Sequence, residues 1–131
     1  MQDLNQLQEY LRQFAKERDW DQFHSPKNLA MALSVEVSEL LENFQWLTEE
    51  QSYTLDDKQR EAVIDEIADV QIYLARLADK LNIDIGDAIA QKTVKNEAKY
   101  PADKVKGSSK KYTEYQQVNE PKADPLADKS T

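Results

Sequence analysis

Glycine and proline almost vanish from the first 100 residues, where Gly86 and Pro26 stand alone. Sheets need frequent tight turns and those turns need such residues, so long helices are favoured over a turn-rich β fold. Apolar spacing agrees. Leu4, Leu7, Leu11 and Phe14 recur at helical intervals and predict a first helix over about residues 3–18. Ser25 before Pro26 is an N-cap with proline at the first helical position, which starts a second helix running to about residue 47. "TEEQSYTLDD" reads as a polar loop, and a third helix follows over about 58–81. Asp84 can cap a fourth, which Pro101 stops. The expected fold is all-α, a helical bundle of four main helices. With 131 residues and 40% hydrophobic side chains the core is thin for one domain, so the bundle is expected to be completed by oligomerisation. The domain is placed at 1–118. Residues 119–131 hold two prolines, five charges and Leu126 as their one large aliphatic, and read as a mobile C-terminal tail.

Several function classes fall away. A net charge of −8 opposes binding of a nucleic-acid polymer, which calls for a basic surplus, so a nucleic-acid-like ligand should be small and bring its own cation. Without cysteine there is neither a disulfide framework nor a thiolate zinc site. "MQDLNQLQEY" lacks the regions of a signal peptide and no apolar run approaches a membrane span, so a soluble cytoplasmic protein is expected.

The stretch "EVSELLENFQW", residues 36–46, carries the main anomaly. Leu29, Leu33, Leu40, Phe44 and Leu47 fall within about 60° of one another on a helical wheel, and Glu36 shares their face. An acid pair at i and i+3, Glu36 with Glu39, is matched on the third helix by Glu66 with Asp69. Three residues rise about 4.5 Å, so each pair presents two carboxylates from adjacent turns. Glu66 adjoins the apolar arc of Val63, Val70, Leu74, Leu77 and Leu81, with Asp69 and Tyr73 on its flank. If the two helices pack through these arcs, four carboxylates converge. Residues 28–57 contain seven acids and no lysine or arginine, so helix two cannot supply its own counter-charge. A hard divalent cation is the natural compensator, and Mg²⁺ is typically held by a few carboxylates, waters and substrate phosphates. One such pair is ordinary on a solvated face; two beside apolar arcs are not. Glu42, Glu49, Glu50 and Asp79 read as solvated instead. A di-iron carboxylate bundle would need Glu-x-x-His on two helices, and the single histidine, His24, is in no such motif.

Basic residues concentrate elsewhere, with seven lysines against two acids over residues 92–111. Lys92, Asn96 and Tyr100 repeat on one helical face as a donor row able to meet phosphates. Trp20 lies in a polar linker, and Trp46 on the same side of helix two as Glu39 and Asn43; together they could sandwich a flat base. Acids, lysines and tryptophans then describe a nucleoside triphosphate with its metal. A non-catalytic helical interaction module, or a nucleotide-binding module without turnover, would use the same residues differently.

The segments "RDWDQFHSPKNLAMALSVEVSELLENFQW", "DEIADVQIYLARLADKLNID", "KNEAKYP" and "KYTEY" resemble the all-α nucleoside triphosphate pyrophosphohydrolase superfamily, the MazG-like group, and within it the dCTP pyrophosphatases, over about residues 10–115. The resemblance implies hydrolysis of a dNTP to the monophosphate and pyrophosphate, in nucleotide-pool house-cleaning, by a homodimer or homotetramer. It implies that Glu36, Glu39, Glu66 and Asp69 bind Mg²⁺; Glu39, on the flank of its arc and so nearer the ligand space than Glu36, is read as the general base. It places Trp20 and Trp46 in the base pocket with His24 nearby, and gives Tyr73, Lys92 and Asn96 to the sugar and phosphates. Animal dCTP enzymes carry a base-contacting histidine in the first helix where this chain has Leu11, which leaves the base preference open.

Overall fold

The computed structural model describes residues 3–109, and every regular element among them is helical. In chain order these are α1 (Leu4–Glu17), a 3-10 turn (Asp21–Phe23), α2 (Pro26–Glu42), α3 (Glu49–Ser52), α4 (Asp57–Lys80), α5 (Ile85–Lys99) and α6 (Ala102–Val105). The all-α expectation and its four main helices hold. The chain divides into two compact units, the first ending at Ala88 and the second beginning at Ile89. The expected boundary at residue 118, the mobile tail and the "KYTEY" segment lie outside the described residues.

Side-chain caps fix the helix starts. Asp3 accepts from the Gln6 N–H at 2.8 Å, Ser25 from Asn28 at 3.1 Å, and Asp84 from Asp87 at 2.9 Å. At α4, Asp56 accepts from the Gln59 N–H at 2.8 Å while Gln59 Oε1 accepts from the Asp56 N–H at 3.1 Å, a reciprocal capping box. Each such cap contributes about 1 kcal/mol.

The long helices end without glycine. After α1, Asp19 takes φ +53°, its N–H donates to Lys16 O at 3.1 Å, and the Trp20 N–H donates to Ala15 O at 2.9 Å. After α4, Asn82 at φ +55° and Ile83 repeat the pattern onto Asp79 O and Ala78 O. Both are Schellman motifs, in which Asp or Asn tolerates the left-handed conformation that other non-glycine residues resist. The first of them fixes where Trp20 leaves the helix.

The second helix is shorter than expected. It stops at Glu42, where the Asn43 side-chain amide donates back to Glu39 O at 3.1 Å and the chain tightens into i→i−3 bonds from Asn43 to Leu40 and Phe44 to Leu41. Phe44, Trp46 and Leu47 therefore leave the helical face. The segment read as a polar loop contains α3, one turn closed by a capping box between Thr48 and Gln51. The Thr-x-x-Gln spacing was the available signal.

In the first unit α4 packs against α2 and, less extensively, α1. Leu11, Ala15, Leu29, Val63, Ala75 and Ala78 are buried. Ala75 and Ala78 are covered within the chain, and Gln8 Nε2 reaches Ala75 O at 3.5 Å. Leu74 and Leu81, expected inside, are exposed, as are Ile64 and Ile67 on α4 and Val35 and Leu41 on α2.

Candidate active site

The paired acids meet. One carboxylate oxygen from each of Glu36, Glu39 and Glu66 lies within 4.8 Å of the others. Glu36 and Glu39 project from successive turns of α2, and Glu66 faces them from α4. Glu36 and Glu66 are half-buried and Glu39 is exposed. Asp69 stands outside this trio but acts electrostatically on both Glu36 and Glu66.

The cluster has no counter-charge among the described residues. No ion pair among them reaches these four carboxylates, and Glu36 Oε2 and Glu66 Oε2 are buried without a hydrogen-bond partner. Burial, reinforced by the neighbouring charges of Glu39 and Asp69, pushes the Glu36 carboxyl up to about 7. Burial and the charge of Glu39 raise Glu66 as well. Orphaned carboxylate oxygens cost free energy unless something positive meets them. An all-oxygen, all-anionic donor set fits a hard divalent cation, so these residues can hold one.

Along α4, about one turn beyond Asp69, Tyr73 opens a second feature. A cavity of about 290 Å³ lies between α1, the linker and α4. Leu11, Phe14, Ala15 and Ile72 give it apolar walls, and Tyr10, Trp20, His24, Tyr73 and Arg76 complete it. Phe14 and Trp20 meet edge to face at 5.7 Å between centroids, as do Trp20 and His24 at 6.2 Å. A row of rings thus forms one side of a slot suited to a flat heterocycle.

A charge network pins the linker. Arg76, only 4% exposed, donates from Nη2 to Asp21 Oδ1 at 2.9 Å and contacts His24 Nδ1 at 3.2 Å. Lys80 also reaches Asp21 Oδ1, at 3.1 Å. These two cations hold the Asp21 carboxyl below its ordinary value, while burial and the Arg76 charge push His24 down. Asp79, expected to be solvated, is instead largely covered: Arg12 grips it with two bonds at 2.6 and 3.1 Å, and Arg76 Nη1 lies 3.6 Å away.

Of the residues singled out in the sequence, the fold brings Glu36, Glu39 and Glu66 into one cluster under the influence of Asp69, and Trp20, His24 and Tyr73 into one cavity. Trp46 is 87% exposed in the turn after α2 and does not line that cavity. Lys92 and Asn96 are exposed one turn apart on α5, in the second unit. Arg76 was missed. A single wheel centred on Val63 puts it opposite the core, because that wheel assumes one buried face for all of α4, whereas the second half of this helix also packs on α1.

A sequence profile of the MazG-like family matches residues 31–115. The chain belongs to the MazG-like family. It is 41% identical over 116 residues to dCTP pyrophosphatase 1 of Homo sapiens, covering 87% of this chain, and the Rattus norvegicus protein of the same name is 40% identical over the same length. The chain spans 66% of the length of these mammalian relatives. Among solved structures, a pyrophosphatase from Archaeoglobus fulgidus matches with a TM-score of 0.70 and 43% identity over 74% of this chain and 91% of that one. The MazG-like chain described here carries its acid cluster within the matched region. No helix among its described residues is long and apolar enough to cross a membrane.

Proposed function

We propose that this MazG-like protein is a Mg²⁺-dependent nucleoside triphosphate pyrophosphohydrolase that converts a dNTP, dCTP or a modified pyrimidine analogue, to the monophosphate and pyrophosphate. The observation that carries the reading is the pair of buried, unpartnered oxygens on Glu36 and Glu66 within a trio of converging carboxylates. The dCTP pyrophosphatase relatives support the substrate class.

Glu36, Glu39, Glu66 and Asp69 hold the ion. When bound, Mg²⁺ supplies neutralisation of the triphosphate charge and a more acidic water. Glu39, the exposed member of the trio, takes the proton of the attacking water on its carboxylate as the anhydride bond breaks and pyrophosphate leaves. Trp20, His24 and Tyr73 bind the base and sugar, and Trp46 covers the base from the turn after α2. Lys92 and Asn96 donate to the phosphates. The exposed apolar side chains Val35, Leu41, Ile64 and Ile67 support assembly of a homodimer or homotetramer. The enzyme is placed in the cytoplasm, clearing unwanted deoxynucleotides, with residues 1–118 as the functional domain.

The test is a panel of dNTPs and NTPs incubated with Mg²⁺, products resolved by chromatography. Equal amounts of dCMP and pyrophosphate from dCTP, abolished by chelator, are expected. A nucleotide-induced thermal shift without product would leave only a binding module, and neither signal would leave a helical interaction module.

A further inference from the structure

The polar side chains of the slot beside Trp20 are richer in donors than in acceptors. Its polar side-chain groups are the Arg76 guanidinium, the His24 imidazole, the Trp20 indole N–H and the hydroxyls of Tyr10 and Tyr73; among the described residues no carboxylate or carboxamide lines it. Guanidinium and indole only donate. Because Arg76 Nη2 can only donate across its 3.2 Å contact, His24 Nδ1 must accept, which leaves the proton of a neutral imidazole on Nε2. Burial and the Arg76 charge, which hold His24 low, keep it neutral. The histidine is thereby locked as a donor too.

Arg76 also retains an unspent donor. It is 96% buried, its Nη2 is engaged by Asp21 and His24, and its Nε–H is buried with no partner among the described residues. A buried N–H without an acceptor is destabilising, and an acceptor brought by a ligand with a small side-chain adjustment relieves it. Asp21 and Asp79 pair with the guanidinium from two sides and fix the direction of its N–H groups.

We infer that Arg76, with His24 oriented by it, is a specificity-determining donor wall that selects a pyrimidine presenting two adjacent acceptors, as the N3 and O2 of cytosine do, over one with an N–H between its carbonyls, as in uracil or thymine. This rests on the reading of the protein as a nucleotide pyrophosphohydrolase. Cytosine gives the wall an acceptor at each ring position it meets. Uracil turns its N3–H against a donor, which leaves two buried N–H groups opposed. Arg76 touches no phosphate in this scheme and acts on base choice alone, so it separates discrimination from turnover.

The experiment titrates the full chain calorimetrically with dCMP and with dUMP, ligands that bind without hydrolysis. The wild-type protein should bind dCMP at least about tenfold tighter than dUMP. Arg76→Met should bring the two within about threefold, chiefly by weakening dCMP. Arg76→Lys keeps a cation against Asp21 but not the planar set of donors, and should also lose the preference while melting near the wild-type temperature. His24→Phe should reduce the preference with Arg76 left in place, and it decides the matter where the arginine variants do not fold. Equal wild-type affinities, no binding of either nucleotide, or folded variants that weaken both ligands equally and keep the ratio overturn the inference and return Arg76 to a clamp for the linker. A chain that releases no pyrophosphate from any triphosphate defeats the enzymatic reading, while the dCMP to dUMP ratio still decides the wall.

Discussion

Helix α4 carries two charged regions that obey opposite rules. Around Glu66 the interacting groups Glu36, Glu39 and Asp69 are all acids that no ion pair reaches among the described residues, two oxygens are buried without partners, and the carboxyls of Glu36 and Glu66 are pushed up. Around Arg76, about three turns further on, acids and bases alternate through Asp21, Asp79, Arg12 and Lys80, and the Asp21 carboxyl is pushed down. The second network pairs each of its acids with cations from the chain and holds the linker in place, with the buried Arg76 Nε–H left over. The first, unmatched, is complete only with a ligand. The contrast fits the proposed roles, a metal site at the first region and a positioned base slot at the second.

The largest expected effect is at the unmatched end. Glu36→Gln should lower pyrophosphate release more than about 100-fold, since a group acting on the reacting charge is typically worth that much. The same variant should melt at or above the wild-type temperature in chelator, because one repelling charge is gone. Circular dichroism melts beside the activity assay check both; lost activity accompanied by unfolding would make Glu36 structural.

The two regions should also respond oppositely to pH. Glu36 rises from 4.5 to about 7 in the fold, so the native state binds its proton more tightly than the unfolded chain does. The metal-free protein therefore loses stability as pH climbs from 4.5 towards 7. Asp21 is lowered from 3.8, so its contribution is present above that value and is lost as pH falls through its folded value. Melting temperatures in chelator should decline through the upper window in the wild type and stay flatter in Glu36→Gln. Parallel curves for the two proteins would contradict the assignment.

A smaller effect concerns Trp46, which projects into solvent beyond the end of α2. Trp46→Ala should leave stability within about 0.5 kcal/mol, as surface changes do. If Trp46 stacks on the base, binding of a dNTP should weaken by about 1–3 kcal/mol while pyrophosphate binding is unchanged. Equal losses for both ligands would remove it from the base site. Smallest is Asp21→Asn, expected to cost about 1 kcal/mol because Asp21 is largely exposed and Asp79 still faces Arg76. Its signature is a raised KM with little change in kcat, seen in steady-state kinetics. A fall in kcat alone would mean that the linker does more than position the base.

The same contrast explains what could be read from the sequence. The acid cluster was legible because its residues repeat at i, i+3 on two helices and residues 28–57 contain no cation, a local pattern that needs no knowledge of packing. Helix starts were legible for a similar reason, since Ser25 and Asp84 act on neighbours three residues away and Pro26 is preset for the first turn. The Arg76 network was not. Asp21 and Arg76 are 55 residues apart, and nothing local in either marks the other. Trp46 was misplaced by a few residues because Asn43 ends α2 through a bond from its own side chain, a weaker signal than proline or glycine. The exposed apolar residues of α2 and α4 showed in the sequence as a thin core, but composition alone did not say which side chains would remain uncovered.

If the unmatched acids serve to bind a divalent cation, the ion should bind at Glu36 and displace its proton. Calorimetric titration with Mg²⁺ at pH 7, repeated in buffers of different ionisation enthalpy, counts the protons released per ion bound. With Glu36 near 7, binding should release about half a proton per ion, fewer at higher pH, and Glu36→Gln should abolish that release and weaken binding by at least about tenfold. Binding of equal strength in wild type and Glu36→Gln with no proton release, or no binding at all, would contradict that role.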